Sequence, residues 1–245
     1  MRESRDAAAE KRWGAVVLTV AGLAVVGSAA WRANVLWFVH PPSDRPRVVD
    51  VSWHQGDIDW RRVARDGVRG AWIKATEGGD FVDPRFGDNR AGARAAGLAV
   101  GAYHFFTFCR PPEDQAENFL KSVNGDWGAL PPAVDVERGG NCAKVPPPDE
   151  LAASLAGFLA PVEAAAGRPA LLYVIADQLD GLLGGALPAR ELWVRSLFAE
   201  PSLPGHTVAV WQFHSRGWVD GVNGAVDLNV VDAATFAGWT APAAN

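Results

Sequence analysis

The chain has 245 residues, enough for one large domain with an appendage, and its 49% apolar and 21% charged content is that of a globular protein, not a disordered one. A formal net charge of -5 gives no support to a nucleic-acid partner. Residues 1–44 carry five Lys/Arg and four Asp/Glu, which leaves 18 basic against 24 acidic groups in the rest, so an anionic polymer has to be recognised by a shaped cleft and not by bulk attraction.

In chain order, the first feature is a stretch from Trp13 to Trp31 without a charged side chain, GAVVLTVAGLAVVGSAA at its centre. At about 1.5 Å rise per residue it just spans a hydrocarbon core of roughly 30 Å. Lys11 and Arg12 precede it, which holds that end in the cytoplasm and places everything after Arg32 outside. The expectation is an uncleaved transmembrane anchor. Ser28-Ala29-Ala30 also resembles a cleavage site, so a removed signal peptide, giving a secreted protein, is the alternative; a buried soluble helix is the bland third reading. Residues 1–12 then form a cytoplasmic tail, 13–39 the anchor and its flank, 40–46 (HPPSDRP) a Pro-rich linker, 47–238 the exported domain and 239–245 a tail.

Beyond the linker, short β-rich runs alternate with helical patterns. VVDVSW (48–53) reads as a buried strand followed by a helix ending at Gly67. GAWIKATEG (70–78) is a second strand, with a helix over 84–97 closed by Gly97. LAVGAYHFF (98–106) is a third, followed by PPEDQAENFLKSV with Pro in its first helical turn. PPAVDVE (131–137) leads into the longest helix, 148–167, and ALLYVI (170–175) is the fifth strand. ELWVRS (191–196), VAVWQFHS (208–215) and AVDLNVV (225–231) are strands with no room for full helices between them. Five βα units and three bare strands make eight, which predicts an α/β barrel whose last part has lost its helices.

In a parallel barrel, functional side chains gather at the C-terminal strand ends. This sequence places polar or aromatic groups there repeatedly: Asp50, Glu77, Tyr103 with His104, Asp135 with Glu137, Tyr173, Trp193, Gln212, and Asp227 with Asn229. Carboxylates inside apolar strands are costly unless paired or used. One strand-end charge facing solvent is commonplace; four such carboxylates at Asp50, Asp135, Glu137 and Asp227 are not. Asp135 and Glu137 stand at i and i+2, on one side of a strand, with Cα atoms about 6.6–7 Å apart. Crowded carboxyls in a cleft cannot all ionise, so one stays protonated and can serve as an acid. Glycoside cleavage needs such a proton donor together with a charge opposite an oxocarbenium-like centre. The eleven Trp, against about three or four at average usage, lean the same way, since an indole face stacks on sugar rings as well as filling a core.

With these residues assembled, the chain resembles the family 25 glycoside hydrolases, the Chalaropsis- or cellosyl-type lysozymes. The resemblance rests on VVDVSWHQGDIDW (48–60), AWIKATEGGDFVDPRF (71–86), GAYHFF (101–106), QAENF (115–119), PPAVDVE (131–137), LLYV (171–174), ELWV (191–194) and VWQFHSRGWVDGVNGAVDLNV (210–230), in order, over roughly residues 47–233. It implies a modified TIM-like (β/α)5(β)3 barrel, here preceded by one N-terminal transmembrane helix. It implies hydrolysis of the β-1,4 bond between N-acetylmuramic acid and N-acetylglucosamine in peptidoglycan glycan strands, without a cofactor and by a monomeric catalytic domain. By resemblance Glu137 is the proton donor and Asp135 a second catalytic carboxylate. Asp50 and Asp227 line the cleft floor, and Tyr103, Tyr173, Trp193, Gln212 and Glu77 face substrate. His104 reads equally as a core histidine. One departure is Arg195-Ser196, where many relatives have Ala and then an aromatic. Because Asp135 and Glu137 share one strand face, substrate assistance by the 2-acetamido carbonyl is the expected mechanism.

Cys109 and Cys142 follow the third and fourth strands, in loops on one barrel face, and in an exported protein they are expected to form a disulfide. Zinc is the rival reading, disfavoured because no C-x-x-C or H-x-x-x-H spacing occurs and the five His are dispersed. The rival functions are a non-catalytic wall-binding module, a hydrolase of another N-acetylglucosamine polymer such as chitin, and a metal-dependent deacetylase for which metal ligands are lacking.

Overall fold

The computed structural model describes residues 41–184 and 190–241. The expected anchor and cytoplasmic tail lie outside the described residues, as do positions 242–245; among the described residues no helix is long and apolar enough to cross a membrane.

The strands are β1 (Arg47–Val51), β2 (Val68–Glu77), the two-residue β3 (Phe81–Val82), β4 (Ala99–Phe105), β5 (Ala133–Val136), β6 (Leu171–Ile175), β7 (Glu191–Arg195), β8 (Thr207–Gly217) and β9 (Val226–Val231). Helices α1 (Trp60–Arg65), α2 (Phe86–Ala95), α3 (Pro112–Val123), α4 (Pro148–Ala166) and the four-residue α5 (Leu179–Leu182) follow β1, β3, β4, β5 and β6, and α6 (Ala233–Thr240) follows β9. The sheet order is β1-β9-β8-β7-β6-β5-β4-β2-β3, and pairing of β1 with β2 closes eight of these strands into a barrel. The three short elements β3, α5 and α6 fall below what periodicity reveals. Helix α6 continues through Trp239, across the expected 238/239 boundary.

Local chemistry sets the element ends. Helix α2 stops where Gly97 takes φ +83°, with Leu98 N–H bonded back to the Ala93 carbonyl, a left-handed turn that suits glycine. Helices α3 and α4 each carry Pro in the first turn, where no amide donor is missed. Helix α1 is capped by Asp59, whose carboxylate accepts from the Arg62 amide.

Inside the barrel, Val48, Trp72, Leu130, Ala133, Leu171, Tyr173, Trp193, Val210 and Val231 form one buried cluster. Trp72 and Trp193 meet with centroids 4.8 Å apart, and the Trp72 indole N–H donates to the Pro131 carbonyl at 2.9 Å. Gly101 permits this packing: a Cβ there would come within 2.7 Å of the Trp72 ring nitrogen. From α6, Phe236 and Trp239 close the end of the barrel opposite the strand C-termini, Trp239 edge-on to Trp72 at 5.9 Å.

One expectation needs correction. The seven barrel strands β1, β2 and β4 to β8 pair in parallel, the short β3 pairs antiparallel with β2 at the sheet edge, and β9 runs antiparallel to both β8 and β1. Asp227 is therefore at the N-terminal end of its strand, not the C-terminal end, and still reaches the same barrel mouth. The cause is loop length: residues 218–225 suffice for a hairpin, whereas a parallel crossover takes a dozen or more.

Candidate active site

A cleft of about 210 Å³ opens at the C-terminal ends of the parallel strands. Asp50, Tyr103, Asp135, Glu137, Tyr173, Trp193, Gln212 and Asp227 all line it. Seven strands thus deliver eight of the nine residues singled out for chemistry or substrate contact. The chain's two tyrosines are both among them.

Glu77 is the exception. It does not line the cleft; its carboxylate holds Lys74 Nζ at 2.6 Å. The register of β2 on β4 slips between Lys74 and Thr76, so Lys74 sits opposite Tyr103 while Thr76 sits opposite His104. Lys74, in register with Tyr103 ahead of the slip, takes the cleft position on β2, and Glu77 at the strand end pairs with it. The Lys74 Nζ also lies 4.9 Å from the Phe105 ring centroid, within cation–π reach.

Asp50 and Asp227 stand directly opposite each other on β1 and β9. Asn229 Nδ2 donates to Asp50 Oδ1 at 2.8 Å, and Asn229 Oδ1 accepts from the Trp193 indole at 2.7 Å. Burial, then the Asp227 charge, raises Asp50 well above the usual carboxylate range. Burial also lifts Asp227 to about 6, opposed by hydrogen bonds from Asp50 and Gln212 and by the Arg195 charge. The pair therefore shares one proton: neutral Asp50 donates to ionised Asp227.

Asp135 and Glu137 leave the end of β5 toward the same space. Burial, with Glu137 and Asp50 nearby, holds Asp135 well up, and its Oδ1 is buried without a hydrogen-bond partner. Gln212 Oε1 is likewise a buried, unpartnered acceptor. Leaving such groups unmet costs about 1–3 kcal/mol each, which a ligand N–H or O–H would recover. Burial raises Glu137, the Arg195 charge opposes it, and Asp227 adds to the rise. Burial keeps both tyrosines as neutral phenols.

The loops that follow β4 and β5 are cross-linked. Cys109 and Cys142 are disulfide-bonded with Cα atoms 6.0 Å apart, as expected from the sequence. Beside the bridge, Asn141 Nδ2 donates to the carbonyls of Glu137 (2.9 Å) and Phe106 (2.8 Å), and its Oδ1 accepts from the Phe108 amide (2.9 Å). His104 lies outside the cleft, buried between sheet and helices and stacked on Phe158 at 4.7 Å. Burial lowers it to about 3, so it is neutral; Thr76 Oγ donates to Nδ1 (2.7 Å) and Nε2 donates to Gln115 Oε1 (3.2 Å). It belongs to the core.

Five further residues line the cleft beyond those the sequence singles out, Ser52, His54, Lys74, Phe105 and Ala133, and Arg195 stands out in the sequence only as a departure. For Lys74 a signal existed, since a lysine inside AWIKATEG breaks the same rule that picked out the aspartates. Among the described residues no group of three or more His, Cys, Asp or Glu is arranged to hold a metal ion.

Comparison with known proteins follows the same outline. The model of the Glycosyl hydrolases family 25 matches residues 49–222. The chain is 37% identical over 188 residues to the uncharacterised protein YegX of Escherichia coli K12, covering 74% of this chain and 68% of that one. It is 31% identical over 203 residues to lysozyme M1 of Streptomyces globisporus, covering 77% and 69%. A family 25 glycosyl hydrolase structure from Bacillus anthracis superposes with a TM-score of 0.75 at 34% identity, over 82% of this chain and 97% of that one. A lysozyme structure from Streptomyces coelicolor does so with 0.71 at 28%, over 81% and 99%.

Proposed function

The chain belongs to glycosyl hydrolase family 25, and from that membership we propose that it is a muramidase, cutting the β-1,4 bond between N-acetylmuramic acid and N-acetylglucosamine in peptidoglycan. The observation that carries this is the convergence of Asp50, Asp135, Glu137 and Asp227 in one aromatic-lined cleft.

Glu137 is the proton donor in this reading. Its raised affinity for the proton keeps it available as an acid, and it protonates the leaving glycosidic oxygen. The 2-acetamido carbonyl oxygen attacks the anomeric carbon from the other side, forming a cyclic oxazolinium. Asp135 Oδ1 accepts the acetamido N–H, and the positive charge that develops on the ring favours ionised Asp135 just when it is needed. Glu137, now a carboxylate, then takes a proton from water as the ring opens. The first product is the β-anomer; an α-anomer would rule out substrate assistance. Asp227, the ionised half of the proton-sharing pair, stabilises the same charge, and Asp50 positions it.

Digestion of purified peptidoglycan by the full chain, wild type beside Glu137→Gln, tests the assignment. The wild type is expected to release disaccharide-peptides with muramic acid at the reducing end, identified by mass spectrometry. The variant is expected to lose about 10²–10⁴ in rate. Equal release by both proteins would remove Glu137 from the mechanism, and no release by either would favour a binding module.

We place the domain outside the cell, tethered by the apolar segment 13–31. The Cys109–Cys142 disulfide supports this, because such bridges persist in oxidising compartments. Protease accessibility of the domain on intact cells checks it.

A further inference from the structure

Among the described residues the exposed large apolar side chains are Trp53, Phe81, Val82, Phe198 and Trp218. Each follows the C-terminal end of a barrel strand, β1, β2, β7 or β8, so all are on the face that carries the cleft. Exposed aromatics confined to one functional face mark a surface that is used.

Trp218 is the most telling of them. It is 66% exposed and stands in the β8–β9 hairpin, where it walls a second hollow, of about 480 Å³, with Asp57, Asp59, Asp220 and Asn223. The carboxylates there are fixed in place. Asp220 binds Arg62 through two hydrogen bonds of 3.0 and 2.5 Å, Asp59 caps α1, and Asp57 pairs with Arg85. A flat indole face beside fixed oxygen acceptors is complementary to a neutral sugar ring, with its apolar C–H face and its O–H and N–H donors. An acidic lining opposes an anionic group.

One loop contributes to both the hollow and the cleft. Within the single loop between β1 and α1, Ser52 and His54 line the cleft while Asp57, Ile58 and Asp59 line the hollow. Trp53, in the same loop, has its ring 4.1 Å from that of His54. The Asp59 amide bonds to the Gly221 carbonyl at 2.9 Å, and Gln55 Nε2 to the Ala225 carbonyl at 3.3 Å, which ties loop to hairpin. The Trp53 amide is held by Asp83 Oδ2 at 2.9 Å.

We propose that the hollow walled by Trp218 is an outer subsite that holds an N-acetylhexosamine ring of the glycan strand beyond the rings bound in the cleft. It rests on the muramidase reading and adds a preference for long strands.

The test uses the full chain in detergent with defined peptidoglycan glycans of four and eight sugars. Trp218→Ala is expected to raise KM on the octasaccharide about tenfold, with kcat unchanged and tetrasaccharide turnover unaffected. Trp218→Phe keeps a flat face and recovers most of the loss. An equal effect at both lengths, or none at either, overturns the subsite while leaving the hydrolase standing. A wild type that cleaves neither length fails the muramidase reading and takes the subsite with it.

Discussion

Replacing Asp227 by Asn is expected to stabilise the protein at neutral pH while impairing it as an enzyme. Asp227 is mostly buried, directly opposite Asp50, and binds its proton with a pKa of about 6 in place of 3.8. The sign follows from proton affinity. The folded state holds this proton more tightly than the unfolded one, so the group is harmless below about pH 3.8 and costs stability as pH rises through about 6. Linkage puts the cost at about 1 kcal/mol at pH 4.5 and about 3 kcal/mol at pH 7.5. Asparagine accepts the hydrogen bonds from Asp50 and Gln212 through its single oxygen and carries no charge. Urea unfolding followed by Trp fluorescence at both pH values measures the difference. The variant is expected to gain about 2 kcal/mol more at pH 7.5 than at pH 4.5, and to lose about 10²-fold in kcat if Asp227 stabilises transition-state charge. A stability change of the same size at both pH values, or a loss that grows with pH, would refute the shared-proton account.

Other perturbations probe separate parts of the site. Arg195→Ala removes a cation that lowers Glu137 and Asp227, so both should hold protons to higher pH; the alkaline limb of kcat/KM should move upward, and an unmoved profile would count against that coupling. Cys109→Ser with Cys142→Ser opens a loop of sequence separation 33 and should cost about 4 kcal/mol through the unfolded chain, seen as a Tm lower by about 8–15 °C. A Tm unchanged within 2 °C or so would contradict this. Gln115→Ala strands the Thr107 amide and the His104 ring and should cost about 2–4 kcal/mol with kcat retained at 25 °C; a selective loss of kcat would mean that Gln115 serves catalysis and not loop structure.

Much of this molecule is legible from local pattern. The alternation of strand and helix signals, then three strands too close for helices, predicts the barrel, because short-range spacing limits which connections the chain can make. Carboxylates interrupting apolar strands predict Asp50, Asp135, Glu137 and Asp227 as a working set, since burying charge without purpose is too costly to recur. What local pattern missed has equally physical causes. Glu77 is expected in the cleft because it ends a strand, but Lys74 lines the cleft there and Glu77 serves as its ion-pair partner. His104, open between core and cleft from the sequence, follows Tyr103 on β4, so strand alternation turns it away from the cleft and into the core.

The sequence alone thus determined the fold class, the identity of the acidic set and the cysteine pairing, because each depends on residue type and spacing along one chain. Only the tertiary structure decided that β9 runs antiparallel, that Asp50 and Asp227 face each other across it, and that Arg195 and Lys74 supply the opposing charge. Those are through-space facts. They depend on which strand lies beside which and in what register, and the chain encodes them only through barrel closure.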